Sequence, residues 1–166
     1  MPTSDWLQIS KTLDLVMQFQ PGSVLDIGIG FGKWGLLLRE YLDIWQGRYK
    51  KEEWKARIDG VEINRAYRNP VYDFAYDFVY YCDIMSCLSI LDGYDLVLLI
   101  DVIEHLEKET GLLLLQALKN KYIVCTPAQF YSDDRVEESE RHKSLWLPSD
   151  FEHSEVIGVQ IIGWRG

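Results

Sequence analysis

The segment that most constrains the fold of this chain is residues 24–35, which read VLDIGIGFGKWG. An apolar run that contains Asp26 leads into three glycines at alternate positions, Gly28, Gly30 and Gly32, and the following LLLREYL is typical of a helix. Glycine is needed where the backbone takes a positive φ angle or where a ligand approaches the main chain closely. Because a helix N-terminus presents unpaired N–H groups, the pattern predicts a strand, a tight turn and a helix around a nucleotide-type ligand.

The composition indicates one globular domain over residues 1–166, with 48% hydrophobic residues available for a core. A net charge of −9 argues against a nucleic acid partner, because affinity for phosphates depends largely on Lys and Arg. Cys82, Cys87 and Cys125 match no metal-binding spacing, so we expect them to be reduced. We see neither a signal peptide nor an apolar run long enough to span a membrane, and therefore expect a cytoplasmic protein without a membrane partner.

The rest of the chain alternates between predicted helices and strands. Such alternation is typical of an α/β fold with a doubly wound, mostly parallel sheet and helices on both faces. The ligand of such a sheet lies at the carboxyl ends of the strands. The predicted strands are 23–27, 58–63, 78–82, 94–101, 121–127 and one last strand within 154–164, and the predicted helices are 4–19, 32–43 and 102–119, with a short helix or turn opened by Asn69-Pro70.

Four carboxylates, Asp26, Glu62, Asp83 and Asp101, fall at the carboxyl ends of four predicted strands. A dinucleotide would bring its pyrophosphate to the glycine turn, where Asp26 would repel it. The dinucleotide fingerprint also requires Gly or Ala at the position that Lys33 occupies. S-adenosylmethionine carries a sulfonium, an ammonium and a ribose diol, all of which suit acidic side chains, and its single carboxylate suits a helix N-terminus. The acids therefore favour S-adenosylmethionine as the ligand.

These motifs resemble those of class I S-adenosylmethionine-dependent methyltransferases, a family with a Rossmann-like fold. The resemblance extends over residues 23–126. It is carried, in the family's order, by D-x-G-x-G-x-G at 26–32, VEIN with its acid at 62, CDI at 82–84 and YDLVLLIDVIEHL at 94–106.

Two departures from the family pattern are expected to show in the structure. The distance from Gly28 to Glu62 is 34 residues, and it falls to the usual interval of about 20 if residues 44–57 are an insertion. The family's sheet usually ends in an antiparallel pair of strands, whereas only one strand is predicted after residue 127. We therefore expect a shortened C-terminal edge.

The resemblance implies a role for each predicted site residue. Asp26 would order the glycine turn and face the methionine part of the cofactor, while Gly28, Gly30 and Gly32 would give the backbone room. Glu62 would accept hydrogen bonds from both ribose hydroxyls. Asp83 and Ile84 would contact adenine, and Asp101 would lie near the ammonium and the methyl group.

A general base is required only if the acceptor must lose a proton. Glu104 and His105, which follow the strand at 94–101, are the candidate catalytic residues, although a structural role for the histidine is the alternative. We interpret residues 128–147 as an acceptor-side loop in which Arg135, Arg141, His142 and Lys143 could bind an anionic acceptor. Because the three histidines are scattered along the sequence, we predict no metal site.

The leading hypothesis is methyl transfer to a small-molecule or sugar-type acceptor, and an RNA or protein acceptor is the less favoured form of it. Basic and aromatic residues alternate in residues 44–57, a pattern that also occurs on nucleic-acid-binding surfaces and on oligomer contacts. A second hypothesis is a non-catalytic module that keeps the fold and the cofactor pocket but acts as a partner or regulator. A third is an NAD-dependent enzyme, which Asp26 and Lys33 disfavour. The oligomeric state is left open.

Overall fold

The computed structural model describes residues 3–130 and 138–166, and the fold it shows is one mixed seven-stranded sheet. The strand order is β3-β2-β1-β4-β5-β7-β6. The first five strands are parallel, and β7 runs antiparallel to both β5 and β6. This arrangement confirms the predicted fold class. The strands are β1 (Ser23–Ile27), β2 (Arg57–Val61), β3 (Phe78–Tyr80), β4 (Leu96–Ile100), β5 (Lys121–Pro127), β6 (His153–Ile157) and β7 (Gln160–Arg165).

In the described part of the chain, four α-helices cover the two faces of the sheet: α1 (Ile9–Phe19), α2 (Lys33–Leu42), α3 (Pro70–Ala75) and α4 (Lys108–Ala117). Successive side chains of a strand point to opposite faces, and β4 divides accordingly between two cores. Leu96 and Leu98 pack with the helices α1 to α3, whereas Val97 and Leu99 pack with α4 and with Trp146. The continuous apolar run of β4 therefore reflects burial on both faces.

The C-terminal edge is complete, and the prediction of a single last strand was wrong. The apolar run that we interpreted as one strand folds as a hairpin, in which β6 pairs with β7 and β7 pairs with β5. The chain reverses at Gly158 and Val159, with Gly158 at φ +59°. A two-residue turn of this kind favours glycine, and the apolar residues on both sides of it conceal the turn in the sequence.

The first helix begins later than predicted. Residues 4–8 lie outside α1, and Trp6, which we had placed on its apolar face, is 74% exposed. The Asp5 side chain accepts a hydrogen bond from the N–H of Leu7 at 2.9 Å, an arrangement that competes with helix formation. The segment instead lies against the ends of the parallel strands, where it contributes to the candidate site.

The predicted helix 102–119 is divided into a 3₁₀ turn, Ile103–His105, and helix α4. Gly111 does not interrupt α4. A Cβ atom at this position would lie 2.5 Å from the ring of Trp146, whose side chain is fully buried. Gly111 is therefore required for the close contact between α4 and Trp146.

Cys82 and Cys87 are joined by a disulfide across the turn that follows β3, which corrects the expectation that all three cysteines are reduced. Cys125 is buried in β5 and carries a free thiol, as expected.

Residues 44–57 form two 3₁₀ turns, Ile44–Gln46 and Lys51–Glu53. Over residues 3–130 and 138–166, the helices are too short or too polar to cross a lipid bilayer.

Candidate functional site

A cavity of about 270 Å³ opens at the carboxyl ends of the parallel strands, and the last residues of β1, β2 and β4 line it. The cavity lies where the strand order reverses, since β1 is flanked by β2 on one side and β4 on the other. Six of the eight predicted cofactor residues line it: Gly28, Gly30, Glu62, Asp83, Ile84 and Asp101.

The glycine turn is closed by hydrogen bonds within the protein. The N–H of Gly28 donates to the Val61 carbonyl at 2.8 Å, and the N–H of Gly32 donates to a carbonyl inside the turn at 2.8 Å. The N–H of Gly30 donates to Oε2 of Glu62 at 2.9 Å. A carboxylate of the protein thus occupies the position where an anion would bind. The turn is a poor pyrophosphate site, contrary to the general expectation for such a turn.

Backbone conformation explains the glycines at 28 and 32. Both have positive φ angles, +75° and +87°. A Cβ at Gly28 would lie 2.4 Å from a methyl group of Val102, and a Cβ at Gly32 would lie 2.9 Å from Val71. Gly32 is outside the cavity lining, so its role is in the turn and in its contact with α3.

Glu62, which follows β2, is the carboxylate that joins the turn to the cavity. Its Oε1 accepts a hydrogen bond from the N–H of Asn64 at 2.8 Å, while Oε2 accepts from Gly30. Burial raises the pKa of Glu62, and these two N–H groups oppose the rise. A carboxylate has about four acceptor positions, so Glu62 retains acceptor capacity toward the cavity.

Asp26 lies below the cavity rather than in it. Its side chain is 1% exposed and accepts a hydrogen bond from the Tyr76 hydroxyl at 2.6 Å. The same hydroxyl accepts a hydrogen bond from the N–H of Gly35 at 3.0 Å in the first turn of α2. Burial raises the pKa of Asp26 to about 7. Asp26 therefore anchors the turn and the helix, and it is not among the residues that line the cavity.

Asp101 lies directly after β4 with an unusual backbone conformation, φ +54°. Its Oδ2 accepts hydrogen bonds from the N–H of Asp5 and from Nε2 of Gln8, both at 3.0 Å. Its Oδ1 is buried and has no hydrogen-bond partner in the described residues. Burial raises the pKa of Asp101, and the charge of Lys33 opposes this.

Asp83 and Ile84 lie at the other end of the cavity, after β3. The Asp83 side chain is exposed and accepts a hydrogen bond from the N–H of Met85 at 2.9 Å. Ile84 is 6% exposed and belongs to the core on the face of the sheet that α4 covers. Both residues line the cavity, and their contact with adenine stays a prediction.

Thr3 and Ser4 line the same cavity, although no sequence motif points to them. The Lys33 ammonium donates to the Ser4 carbonyl and to the Ser4 hydroxyl, and the Trp34 indole N–H donates to that hydroxyl at 3.0 Å. The start of α2 therefore fixes the N-terminal segment over the cavity. Lys33 and Trp34 both line the cavity, although Trp34 is also part of the core.

Glu104, His105 and His142 lie together where the loop after residue 137 meets the cavity. One ligand atom of each lies within 4.8 Å of the others. The cause is the loop after residue 137, because the N–H groups of Lys143 and Ser144 both donate to the Glu104 carbonyl, at 2.7 and 3.1 Å. His105 and His142 are distant in sequence but adjacent in space, so scatter along the sequence does not exclude a metal site here.

Burial has opposite effects on the two predicted catalytic residues. It raises the pKa of Glu104 well above its usual range and lowers the pKa of His105. His105 lines the cavity, whereas Glu104 lies behind it and is 2% exposed. Lys143 and Glu140 also line the cavity, while His153 is exposed on β6. Arg135 falls in residues 131–137, outside the described residues.

Comparisons with known proteins give structural matches only. No family model and no curated protein matches this chain. The chain is similar to the methyltransferase domain of bacterial CtHen1, with a TM-score of 0.62, 18% identity, and coverage of 95% of this chain and 96% of the other. It is also similar to the 1,6-didemethyltoxoflavin-N1-methyltransferase of Burkholderia thailandensis, solved with its substrate and S-adenosylhomocysteine, with a TM-score of 0.64, 15% identity, and coverage of 96% and 77%.

A structure from Rhodobacter sphaeroides that is named for Zn-dependent alcohol dehydrogenases matches as well, with a TM-score of 0.52 and 16% identity over 75% of this chain and 48% of the other. Overall structural similarity therefore does not identify the ligand of this chain. The antiparallel pair of strands at the C-terminal edge is the feature that the methyltransferase resemblance requires, and it is present. The chain has the fold of class I S-adenosylmethionine-dependent methyltransferases.

Proposed function

We propose that this chain is an S-adenosylmethionine-dependent methyltransferase that acts on a small-molecule or sugar-type acceptor. The observation that carries the proposal is the position of Glu62. Its carboxylate fills the anion position of the glycine turn and lines the cavity at the end of β2. The turn is thereby closed to a pyrophosphate, and the Glu62 carboxylate can accept hydrogen bonds from a ribose diol.

The chain's own residues fit the remaining parts of this cofactor. Asp101 carries a buried oxygen without a hydrogen-bond partner among the described residues, next to the segment that Lys33 anchors. An ammonium or a sulfonium in the cavity would be stabilised by this carboxylate. At the other end, Asp83 would accept a hydrogen bond from the amino group of adenine, and Ile84 would pack against the ring.

S-adenosylmethionine, when bound, supplies a methyl group that is already activated by its positive sulfur. The protein then has to align the acceptor with the methyl group and to exclude water. Such alignment corresponds to an effective molarity on the order of 10⁵ M. The N-terminal segment, held by Ser4, covers the methionine side of the cavity. His105, which lines the acceptor side, would contact the acceptor as a base or as an orienting group.

A small acceptor is supported by the charge of the chain, because the net charge of −9 disfavours a phosphate backbone. On the acceptor side, Lys143 and His105 are the basic residues that line the cavity among the described residues. They suit an acceptor that carries one negative or polar group.

The test is methyl transfer from S-adenosylmethionine with a radiolabelled methyl group to a panel of small hydroxylated, aminated and carboxylated acceptors. We expect labelled product with the wild-type protein and none with Glu62→Ala. The same panel should include a short RNA and a mixed peptide pool. Tight binding of S-adenosylhomocysteine without transfer to any acceptor would contradict the enzyme and support the non-catalytic module.

A further inference from the structure

We propose that Glu104, His105 and His142 bind a divalent transition-metal ion at the acceptor side of the cavity, where its open coordination positions would hold the acceptor. The role for the acceptor rests on the proposed function, whereas the binding of the metal does not. Two imidazoles and one carboxylate are a ligand set that catalytic metal sites use, with positions left open for water or substrate.

The geometry of the three side chains is close to that of a metal site. One ligand atom of each lies within 4.8 Å of the others. Ligands about 2.1 Å from a tetrahedral ion are about 3.4 Å apart, so side-chain adjustments of about 1 Å suffice to close the site. Because His105 lines the cavity, an ion held by it would be in contact with the cavity.

The buried oxygen of Glu104 is a second, independent observation. Glu104 is 2% exposed, and its Oε2 has no hydrogen-bond partner among residues 3–130 and 138–166. Buried carboxyl oxygens are normally paired, because an unpaired one retains the full cost of desolvation. A cation bound to Glu104 would offset this cost.

The surroundings of His105 fix the orientation of its ring. Its Nδ1 lies 3.1 Å from the Arg141 carbonyl. A carbonyl oxygen can only accept, so Nδ1 carries the hydrogen in this contact and Nε2 keeps its lone pair. A metal-binding histidine commonly donates its other N–H to a backbone carbonyl in this way, which sets both the tautomer and the ring plane.

The loop that carries His142 is anchored directly after this residue. The main chain at Lys143 and Ser144 is bonded to the Glu104 carbonyl. Further along, the Trp146 indole N–H donates to the Ser144 hydroxyl at 2.9 Å, and its ring is fully buried against α4. His142 is therefore held beside His105 by the fold. This juxtaposition supports a site that is formed before a metal ion arrives.

The proposed metal ion would explain how a chain of this size positions the methyl acceptor. An ion with three protein ligands keeps one or more positions for an oxygen or nitrogen of the acceptor, and it lowers the pKa of a hydroxyl that it binds. The acceptor class that this geometry fits is a hydroxylated small molecule.

The experiment is calorimetric titration of the purified, metal-free full chain with Co²⁺, together with the visible absorption of the bound ion. We expect one site per chain. Glu104→Gln, His105→Asn and His142→Asn should each weaken Co²⁺ binding by about 10- to 100-fold or abolish it. Glu104→Gln replaces a carboxyl by an amide of the same shape, so thermal unfolding of the metal-free protein should show that this variant is folded.

The matched control is His153→Asn, which removes an exposed histidine whose Nε2 lies 3.7 Å from an oxygen of Glu152. This variant should bind Co²⁺ as the wild type does. Equal Co²⁺ binding by the wild type and the three site variants, or no binding by the wild type, would overturn the metal site. Titration with S-adenosylhomocysteine separates the two proposals, because the three metal-site variants should still bind it. A wild type that binds Co²⁺ but not S-adenosylhomocysteine would contradict the proposed function and leave the metal site standing.

Discussion

The N–H of Gly30 donates to the carboxylate of Glu62 at 2.9 Å, and this hydrogen bond connects the glycine turn to the end of the neighbouring strand. In a dinucleotide site, the backbone of such a turn donates to a pyrophosphate. Here the protein supplies the negative group itself. The ligand that fits has no phosphate at this position, and it presents donors to Glu62.

Replacing Glu62 should therefore weaken cofactor binding more than it affects folding. Glu62→Gln keeps the shape of the side chain but removes the charge and one acceptor oxygen. Hydrogen bonds to a charged group are worth about 1.5–3 kcal/mol, so the affinity for S-adenosylhomocysteine should fall by about 10- to 100-fold. Isothermal titration calorimetry measures the change.

Glu109→Gln is the control for charge alone, since Glu109 is an exposed acid on α4. Its affinity for S-adenosylhomocysteine should equal that of the wild type. Equal losses of affinity in the two variants would indicate a general electrostatic effect and would contradict a direct role for Glu62.

Asp26 should give the protein a distinctive dependence of stability on pH. Burial raises its pKa from 3.8 to about 7, so between these values the folded state holds a proton that the unfolded state has lost. The stabilisation that comes from this proton is complete below pH 3.8 and is lost as the pH rises through about 7. Compared with Asp26→Asn, the wild type should lose a few kcal/mol, on the order of 3–4, over this interval.

Urea unfolding of both proteins between pH 4 and pH 8 measures this difference. The other acids contribute equally to the two curves, so subtraction isolates Asp26. A constant difference across the interval, or a wild type that gains stability relative to Asp26→Asn as the pH rises, would contradict a protonated Asp26 in the folded state.

The contact between Gly111 and Trp146 should make α4 intolerant of a side chain at this position. In Gly111→Ala the new Cβ would lie 2.5 Å from the Trp146 ring and 3.1 Å from Ile103. Overpacking of this kind costs about 1–3 kcal/mol, which urea unfolding would detect as a lower midpoint. Gly93→Ala is the matched control, because a Cβ there would have no neighbour within 4 Å.

Ser4 should control how long the cofactor stays bound. Its hydroxyl accepts hydrogen bonds from Lys33 and Trp34, and these bonds hold the N-terminal segment over the cavity. Loss of two hydrogen bonds at about 0.5–1.5 kcal/mol each predicts dissociation of S-adenosylhomocysteine that is about 5- to 150-fold faster in Ser4→Ala. Stopped-flow displacement measures the rate, and Ser154→Ala, which removes an exposed hydroxyl, should leave it unchanged.

Much of the fold could be predicted from the sequence because the signals are local. The strand, glycine turn and helix around Gly28 and the buried strand β4 follow from residue type and spacing. The strands β6 and β7 could not be told apart in the sequence, since the turn at Gly158 lies inside a continuous apolar run. The start of α1 was missed because the side chain of Asp5 bonds to the backbone nearby and residues 4–8 lie outside the helix.

The site was only partly predictable for a different reason. Acidic residues at strand ends can be located from the sequence spacing. The orientation of their side chains depends on residues that are distant in the sequence. Asp26 is turned inward by Tyr76, and His142 is brought to His105 by hydrogen bonds between residue 104 and the loop. Nothing in the spacing of these residues indicates either contact.

The choice of ligand is tested most directly by titrating the wild-type protein with S-adenosylhomocysteine and with NAD⁺ in the same calorimeter and buffer. With Glu62 in the anion position of the turn and Asp101 in the cavity, we expect saturable binding of S-adenosylhomocysteine and no measurable heat with NAD⁺. Tight binding of NAD⁺ together with none of S-adenosylhomocysteine would contradict the account.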